Sequence, residues 1–303
     1  MAELQTSRRL SRVAPPTPGK TMKITPLASA LGAQIDGLDI AHPLSDIQRN
    51  ELLEAWRQHL VLRFRGTPLT PEQLIAFSKN FGQLEQHSNY QAEVVHPEHP
   101  EVLMIRATNI RGERIIFGQQ WHADLTYTLR PAKGACLHSV VLPPIGGDTL
   151  FTNMELAYQT LSPTMKRLID DLEVIHDLGN GKSHRNKTPE QKAAVRKRNP
   201  PVVQPMVRVN PDTGKKALFV SEWMCRRIVG MSEDESESLL SFLFRHCTQP
   251  EFQFRQSWNV GDTILWDNRS TLHMALADYP SGVPREMIRT SILGQASGRF
   301  LED

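Results

Sequence analysis

The run His122-Ala123-Asp124 sets an imidazole and a carboxylate two positions apart. In an extended chain, positions i and i+2 project to the same side, so the two groups converge. One more imidazole would complete a three-ligand set that holds iron on one face and leaves three positions for other ligands. The spacing alone carries little weight. Eleven His, each with about a one-in-nine chance of an acid two places on, give roughly one such pair by accident. His96/Glu98 and His99/Glu101 also qualify, but His96-Pro97-Glu98-His99-Pro100-Glu101 reads as a proline-broken surface loop. A candidate third ligand for the His122 pair is His273, which follows Leu265-Trp266-Asp267-Asn268-Arg269 far along the chain. Arg285 and Arg289 come next. Four apart on a strand, they share a face with Met287, and two inward cations on an apolar strand are costly unless anions meet them. On a surface they would be ordinary ion pairs; beside a metal they would clamp an anion.

The elements that must position these groups read mostly as strands. Ile24, Leu27, Ile35 and Leu38 belong to short strands near the start, and Leu60 to Phe64 forms a buried one. Further strands are expected at 102–105, 134–141, 148–151, 202–209, 217–220, 252–258, 263–266 and 287–293. Ser45 can cap a helix carrying Ile47, Leu52, Leu53 and Trp56, and Thr70 with Pro71 and Gln73 forms a capping box for a second. Ser162-Pro163 and the box Ser232 to Glu235 open two more, the last running to about residue 247. Many short strands with helices between them predict a barrel or jelly roll rather than a doubly wound parallel sheet. No G-x-G-x-x-G or P-loop follows a strand.

Composition narrows the function classes. With 303 residues, 39% hydrophobic and 22% charged, the chain can bury a sizeable core. Its 35 basic and 33 acidic residues leave a net charge of +2, too even for a surface built to grip nucleic acid. No apolar run is long enough to cross a bilayer, and the first twenty residues lack the apolar centre of a signal peptide. Three distant Cys without a CxxC pair fit a reducing cytoplasm. Residues 1–22, with Pro15, Pro16 and Pro18, read as a disordered tail before a single domain at 23–303. The segment near 178–200 reads as a basic, mobile insertion, either solvated or a lid over an anion.

Trp121-His122-Ala123-Asp124, then Gly146-Gly147-Asp148-Thr149, then Trp266-Asp267-Asn268-Arg269 with His273, then Arg285 and Arg289, resemble the Fe(II)/2-oxoglutarate-dependent dioxygenases of the taurine dioxygenase (TauD/TfdA) family. The resemblance covers about residues 23 to 294. It implies a mainly β fold with added helices on a double-stranded β-helix, or jelly-roll, core. It further implies Fe(II) held by His122, Asp124 and His273, with 2-oxoglutarate and O2 as co-substrates. Thr149 and Arg285 match the pair that takes the distal carboxylate of 2-oxoglutarate. Arg289, His87 and Tyr90 match positions around the substrate anion, and no catalytic side chain is implied beyond the metal ligands. The partner is then a small anionic organic molecule, a sulfonate such as taurine first, with an alkyl sulfate or aryloxyalkanoate as alternatives. A homodimer or homotetramer is implied as well. Gly118 stands where taurine dioxygenase has an amine-contacting Asn, so an anion site is expected and an amine site is not. The turn Pro280-Ser281-Gly282-Val283-Pro284 carries one residue more than the family pattern.

Two other classes compete. A metal-dependent hydrolase could use the same His/Asp/His set with metal-bound water, but it has no need of Thr149 and Arg285 as a second clamp. An anion-binding module would act through the basic residues 182–198. His138, His246, Cys247 and Trp223 read as packing residues at least as readily as site residues, and His176 and His184 have no evident partner.

Overall fold

The computed structural model describes residues 22–87, 92–106, 108–110, 113–115, 118–180 and 188–301. The expected tail therefore lies outside the described residues, apart from Met22. The centre is a seven-stranded sheet in the order β1-β2-β3-β15-β7-β17-β4. Its strands are β1 (Lys23–Pro26), β2 (Ala33–Asp36), β3 (Val61–Phe64), β4 (Val102–Arg106), β7 (Gly134–Val141), β15 (Thr263–Asp267) and β17 (Glu286–Ile292). All neighbours run antiparallel except β2 and β3. A three-stranded sheet, β14-β8-β16, is built from β8 (Thr149–Asn153), β14 (Gln253–Gln256) and β16 (Thr271–Ala275). The two sheets face each other as a jelly roll: the Phe151 ring on β8 lies 5.8 Å from Trp266 on β15.

The central strands of the large sheet, β3, β15 and β7, are buried at nearly every position because both faces of the sheet are covered there. Val61, Ala135, Leu137, Ile264, Trp266 and Met287 point to the small sheet and pack with Phe151 and Phe254. The alternate residues Leu62, Phe64, Cys136, Leu265 and Ile292 point the other way. There they meet α1 (Asp46–His59) and α2 (Pro71–Ser78), which bury Leu52, Ala55, Trp56, Leu74, Ile75 and Phe77. A one-residue slip in any of these strands would exchange the two sets. Both helices begin with the reciprocal capping box that Ser45/Gln48 and Thr70/Gln73 make.

A third cluster packs α3 (Met154–Thr160), α4 (Pro163–Ile169) and α6 (Glu233–Cys247) over a four-stranded sheet, β13-β9-β10-β18. That sheet consists of β9 (Glu173–His176), β10 (Val202–Pro205), β13 (Cys225–Ile228) and β18 (Arg299–Phe300). Two hairpins complete the described strands: β5 (Thr108–Ile110) with β6 (Glu113–Ile115), and β11 (Val207–Val209) with β12 (Lys216–Leu218). Part of the basic segment is among the described residues. Its second half is the helix α5 (Pro189–Arg198), capped by Thr188 and Gln191, with Val195 buried and Arg196 paired to the buried Asp177 at 2.7 Å. Residues 181–187 lie outside the described residues. Among the described residues no helix is long and apolar enough to cross a membrane.

Candidate functional site

His122 and His273 meet backbone to backbone. The His122 N–H donates to the His273 carbonyl at 3.1 Å, and the His273 N–H returns the bond at 2.8 Å. His273 sits on β16 opposite Phe151, stacked on that ring at 6.0 Å and tilted against Trp266 at 4.8 Å. The turn after His122 is fixed by Asn268. Its side-chain oxygen accepts the Asp124 N–H at 2.7 Å, and its amide nitrogen donates to the carbonyls of Asp124 at 2.9 Å and Ala132 at 3.0 Å. Leu125, the next residue, adopts φ +58° while buried, a strained left-handed conformation that turns the chain away from Asp124.

These constraints bring the three expected ligands together. His122 Nε2 lies 4.0 Å from Asp124 Oδ1, and His273 Nε2 lies 3.9 Å from Asp124 Oδ2. One ligand atom from each residue falls within 4.8 Å of the others. A metal with ligand bonds of about 2.1 Å touches atoms up to about 4.2 Å apart, and both measured spacings fit. His122 Nδ1 is 2.7 Å from the Gln120 carbonyl, which can only accept, so Nδ1 carries the proton and Nε2 offers a lone pair. Burial holds both imidazoles below their ordinary pKa, so they are neutral. Burial alone would raise Asp124, but the Arg289 guanidinium outweighs it and holds its carboxyl down at about 2. Asp124 Oδ2 is buried and makes no hydrogen bond among the described residues. Two neutral imidazoles and a carboxylate with an unbonded oxygen are the donor set of a divalent transition metal.

Arg289, expected beside a substrate anion, donates from Nη1 to Asp124 Oδ1 at 2.8 Å and so also orients the carboxylate. His87 is 1% exposed, adopts φ +45°, and is held neutral at about 3 by burial and then by Arg289. Tyr90 lies outside the described residues. Arg285 meets the segment that leads into Thr149 at a second place. Arg285 is 4% exposed and donates from Nε to the Gly147 carbonyl at 3.0 Å, while its buried Nη2 has no partner among the described residues. Thr149 Oγ accepts from Trp258 Nε1 at 3.1 Å, which leaves its own hydrogen to donate. A buried guanidinium edge and a hydroxyl, with no acceptor among the described residues, suit a carboxylate. The turn before Arg285 closes with Gly282 at φ +85°.

The other His/acid pairs take no part. His99 bonds exposed Glu72 at 2.8 Å, and His96 accepts from the Glu98 backbone. His138 is a packing residue that accepts from the Leu69 N–H, and His246 contacts the Ala157 carbonyl at the end of α6. Trp223, which reads equally well as core from sequence, stands edge-on to His122 at 4.6 Å. His176 proves to have neighbours, Cys225 Sγ at 3.6 Å and the Phe219 ring at 5.8 Å; His184 lies outside the described residues. Sequence reasoning missed the holding roles of Asn268 and Gln120. Gly118, marked in the sequence only as a departure at the amine position, has φ +79°, and a Cβ there would come within 2.9 Å of His122 Cε1.

Comparison with known proteins gives one consistent result. The family model for "Taurine catabolism dioxygenase TauD, TfdA family" matches residues 23–291. An alpha-ketoglutarate-dependent 2,4-dichlorophenoxyacetate dioxygenase from Burkholderia sp. (strain RASC) is 33% identical over 86% of this chain and 91% of its own length. An alpha-ketoglutarate-dependent sulfate ester dioxygenase from Pseudomonas putida is 31% identical over 90% of each. The crystal structure of a taurine dioxygenase from Burkholderia xenovorans superposes with a TM-score of 0.79 at 32% identity, covering 94% of this chain and 96% of that one.

Proposed function

The chain belongs to the taurine catabolism dioxygenase TauD, TfdA family, and on that premise we propose that it hydroxylates a small organic anion at the carbon bearing the leaving group, with Fe(II), 2-oxoglutarate and O2. The anion proposed first is a sulfonate, taurine or an alkylsulfonate. The sulfonate, 2-oxoglutarate and O2 become an aldehyde, sulfite, succinate and CO2. The convergence of His122, Asp124 and His273 on one buried point carries this proposal.

His122 Nε2, His273 Nε2 and the Asp124 carboxylate hold the metal. Ferrous iron bound there supplies the coupling of O2 to oxidative decarboxylation and C–H oxidation. Gln120 fixes the tautomer of His122, and Arg289 fixes the orientation of Asp124. Arg285 and Thr149 bind the distal carboxylate of 2-oxoglutarate, which aims its 2-oxo acid end at the metal. Arg289, His87 and Tyr90 hold the substrate anion. His87 is neutral, so it contributes a hydrogen bond rather than a charge. Trp223, edge-on to His122, and Phe151, against His273, restrict water around the site, which strengthens these charge contacts.

Gly118 favours an anion without an amine: its left-handed backbone and the nearness of His122 leave no side chain to meet an ammonium group. An alkyl sulfate or an aryloxyalkanoate would undergo the same hydroxylation and release sulfate or a phenol. The test is a panel of taurine, longer alkylsulfonates, alkyl sulfates and aryloxyalkanoates, scoring sulfite, sulfate and phenol. Sulfite from the sulfonates alone supports the proposal, with alkylsulfonates ahead of taurine. Sulfate or phenol release without sulfite would reassign the substrate class.

A further inference from the structure

Two chain segments flank Arg285 and Thr149, and they are tied together by a relay of contacts that ends at the protein surface. Arg285 Nε donates to the Gly147 carbonyl at 3.0 Å, and the Gly147 N–H donates to Asp278 Oδ1 at 2.7 Å. The other Asp278 oxygen accepts from Arg255 Nη2 at 3.0 Å. Arg255 closes the circuit by donating from Nε to Asp148 Oδ2 at 2.7 Å. A backbone bond from Leu276 N–H to the Asp148 carbonyl, 2.9 Å, crosses the same gap. Close approach is possible because Gly146 and Gly147 both take positive φ, at +82° and +75°. A Cβ on Gly146 would strike the Asp278 carbonyl, and one on Gly147 would stand 3.1 Å from Arg285 Cδ and Nε. The paired glycines therefore serve this junction, and Asp278 reaches across it with one oxygen on Gly147 and the other on Arg255.

We propose that Asp278 and Arg255 are positioning residues for 2-oxoglutarate: they lock the 146–149 segment onto the segment ending in Arg285, so that Arg285 and Thr149 form one preformed cradle for the distal carboxylate. This rests on the assignment of Arg285 and Thr149 made above. The side chains of Arg255 and Asp278 are 55% and 40% exposed, and ion pairs that open to solvent add little to stability. Their contribution is instead geometric. Among the described residues Arg285 hydrogen-bonds the protein through Nε, and the direction of its outer edge follows from where the Gly147 carbonyl is held.

The experiment measures affinity by calorimetry on the Fe(II)-loaded protein without oxygen. Two ligands are compared: 2-oxoglutarate, and 2-oxopentanoate, which has the same 2-oxo acid end but no distal carboxylate. Asp278→Ala is expected to weaken 2-oxoglutarate by about 10–100-fold, the range for a lost outer partner of a ligand-holding group. It should leave 2-oxopentanoate, iron content and Tm near the wild-type values. Asp278→Asn, which keeps an acceptor for the Gly147 N–H, should lose less than Asp278→Ala, and Arg255→Lys, which keeps a cation beside Asp148 and Asp278, should lose less than Arg255→Ala. Arg285→Ala should abolish the preference for 2-oxoglutarate. If Arg285→Ala abolishes the preference and Asp278→Ala does not touch it, the clamp is wrong and the cradle assignment stands. If Arg285→Ala keeps the preference, the assignment itself fails and the clamp with it. Equal weakening of both acids in Asp278→Ala would mean general loosening and would also overturn the clamp.

Discussion

Asn268 is the residue on which the metal centre depends most without touching it. It accepts the Asp124 N–H and donates to two carbonyls of the same turn, all in buried surroundings. Asn268→Ala leaves those groups unpaired, at about 1–3 kcal/mol for a buried unsatisfied donor or acceptor. The expected outcome is a drop in iron affinity of about 10–100-fold, read as metal retained after dialysis against a chelator of known affinity. Undiminished iron affinity would show that Asp124 is held without it. At this scale the sequence was half legible. His122, Asp124, His273, Thr149, Arg285 and Arg289 stand out because their side-chain types and order match a family pattern. Asn268 lies within a quoted motif, but its partners are over a hundred residues away in the chain, and local spacing carries no sign of them. The contact of Arg289 with Asp124 was hidden for the same reason.

Elements were legible where their signals are local. Four helix starts read from Ser45, Thr70, Ser162 and Ser232 all carry the expected side-chain cap. The strands at 102–106, 134–141 and 286–292 agree to within a residue or two with what their apolar runs predict. Two helices were missed. In α5 the charge run concealed the box Thr188/Gln191, and α3 follows β8 without a gap, with Asn153 as its only start signal. Strands β9, β13 and β16 are short, and long-range partners define them more than composition does. The caps also yield a prediction. Ser45→Ala removes the exposed bond to the Gln48 N–H and should cost about 1 kcal/mol, seen as a lower denaturation midpoint. Turnover in the native state should not change, since α1 packs on the face of the large sheet that points away from the ligands. A large loss of turnover would mean that α1 is coupled to the site.

At the scale of the whole molecule, buried histidines give stability a pH dependence separate from the chemistry. Burial holds His176 at about 3 and His138 at about 4, against 6.5 in the unfolded chain. As pH falls below about 6, the unfolded state takes up protons that the folded state refuses, so stability must fall with pH. Between about pH 6 and 4 each group contributes a slope of about 1.4 kcal/mol per pH unit. Urea denaturation across that range should show the decline, and His176→Gln should flatten it by about one such increment. An unchanged slope would mean that His176 is not kept neutral by its surroundings.

The jelly roll itself gathers the site: β8, β16 and β17 come from distant parts of the chain, and only their closure brings His122, His273 and Arg289 to Asp124. The most direct test of the account is succinate formation from 2-oxoglutarate with Fe(II) and O2, in the wild-type chain and in Asp124→Ala. The account predicts succinate that rises with an added organic anion in the wild type. In Asp124→Ala it predicts loss of tightly bound iron and a fall in turnover of at least about 100-fold, since a metal ligand is gone. An iron-loaded wild type that makes no succinate, or an Asp124→Ala that keeps both iron and full turnover, would contradict it.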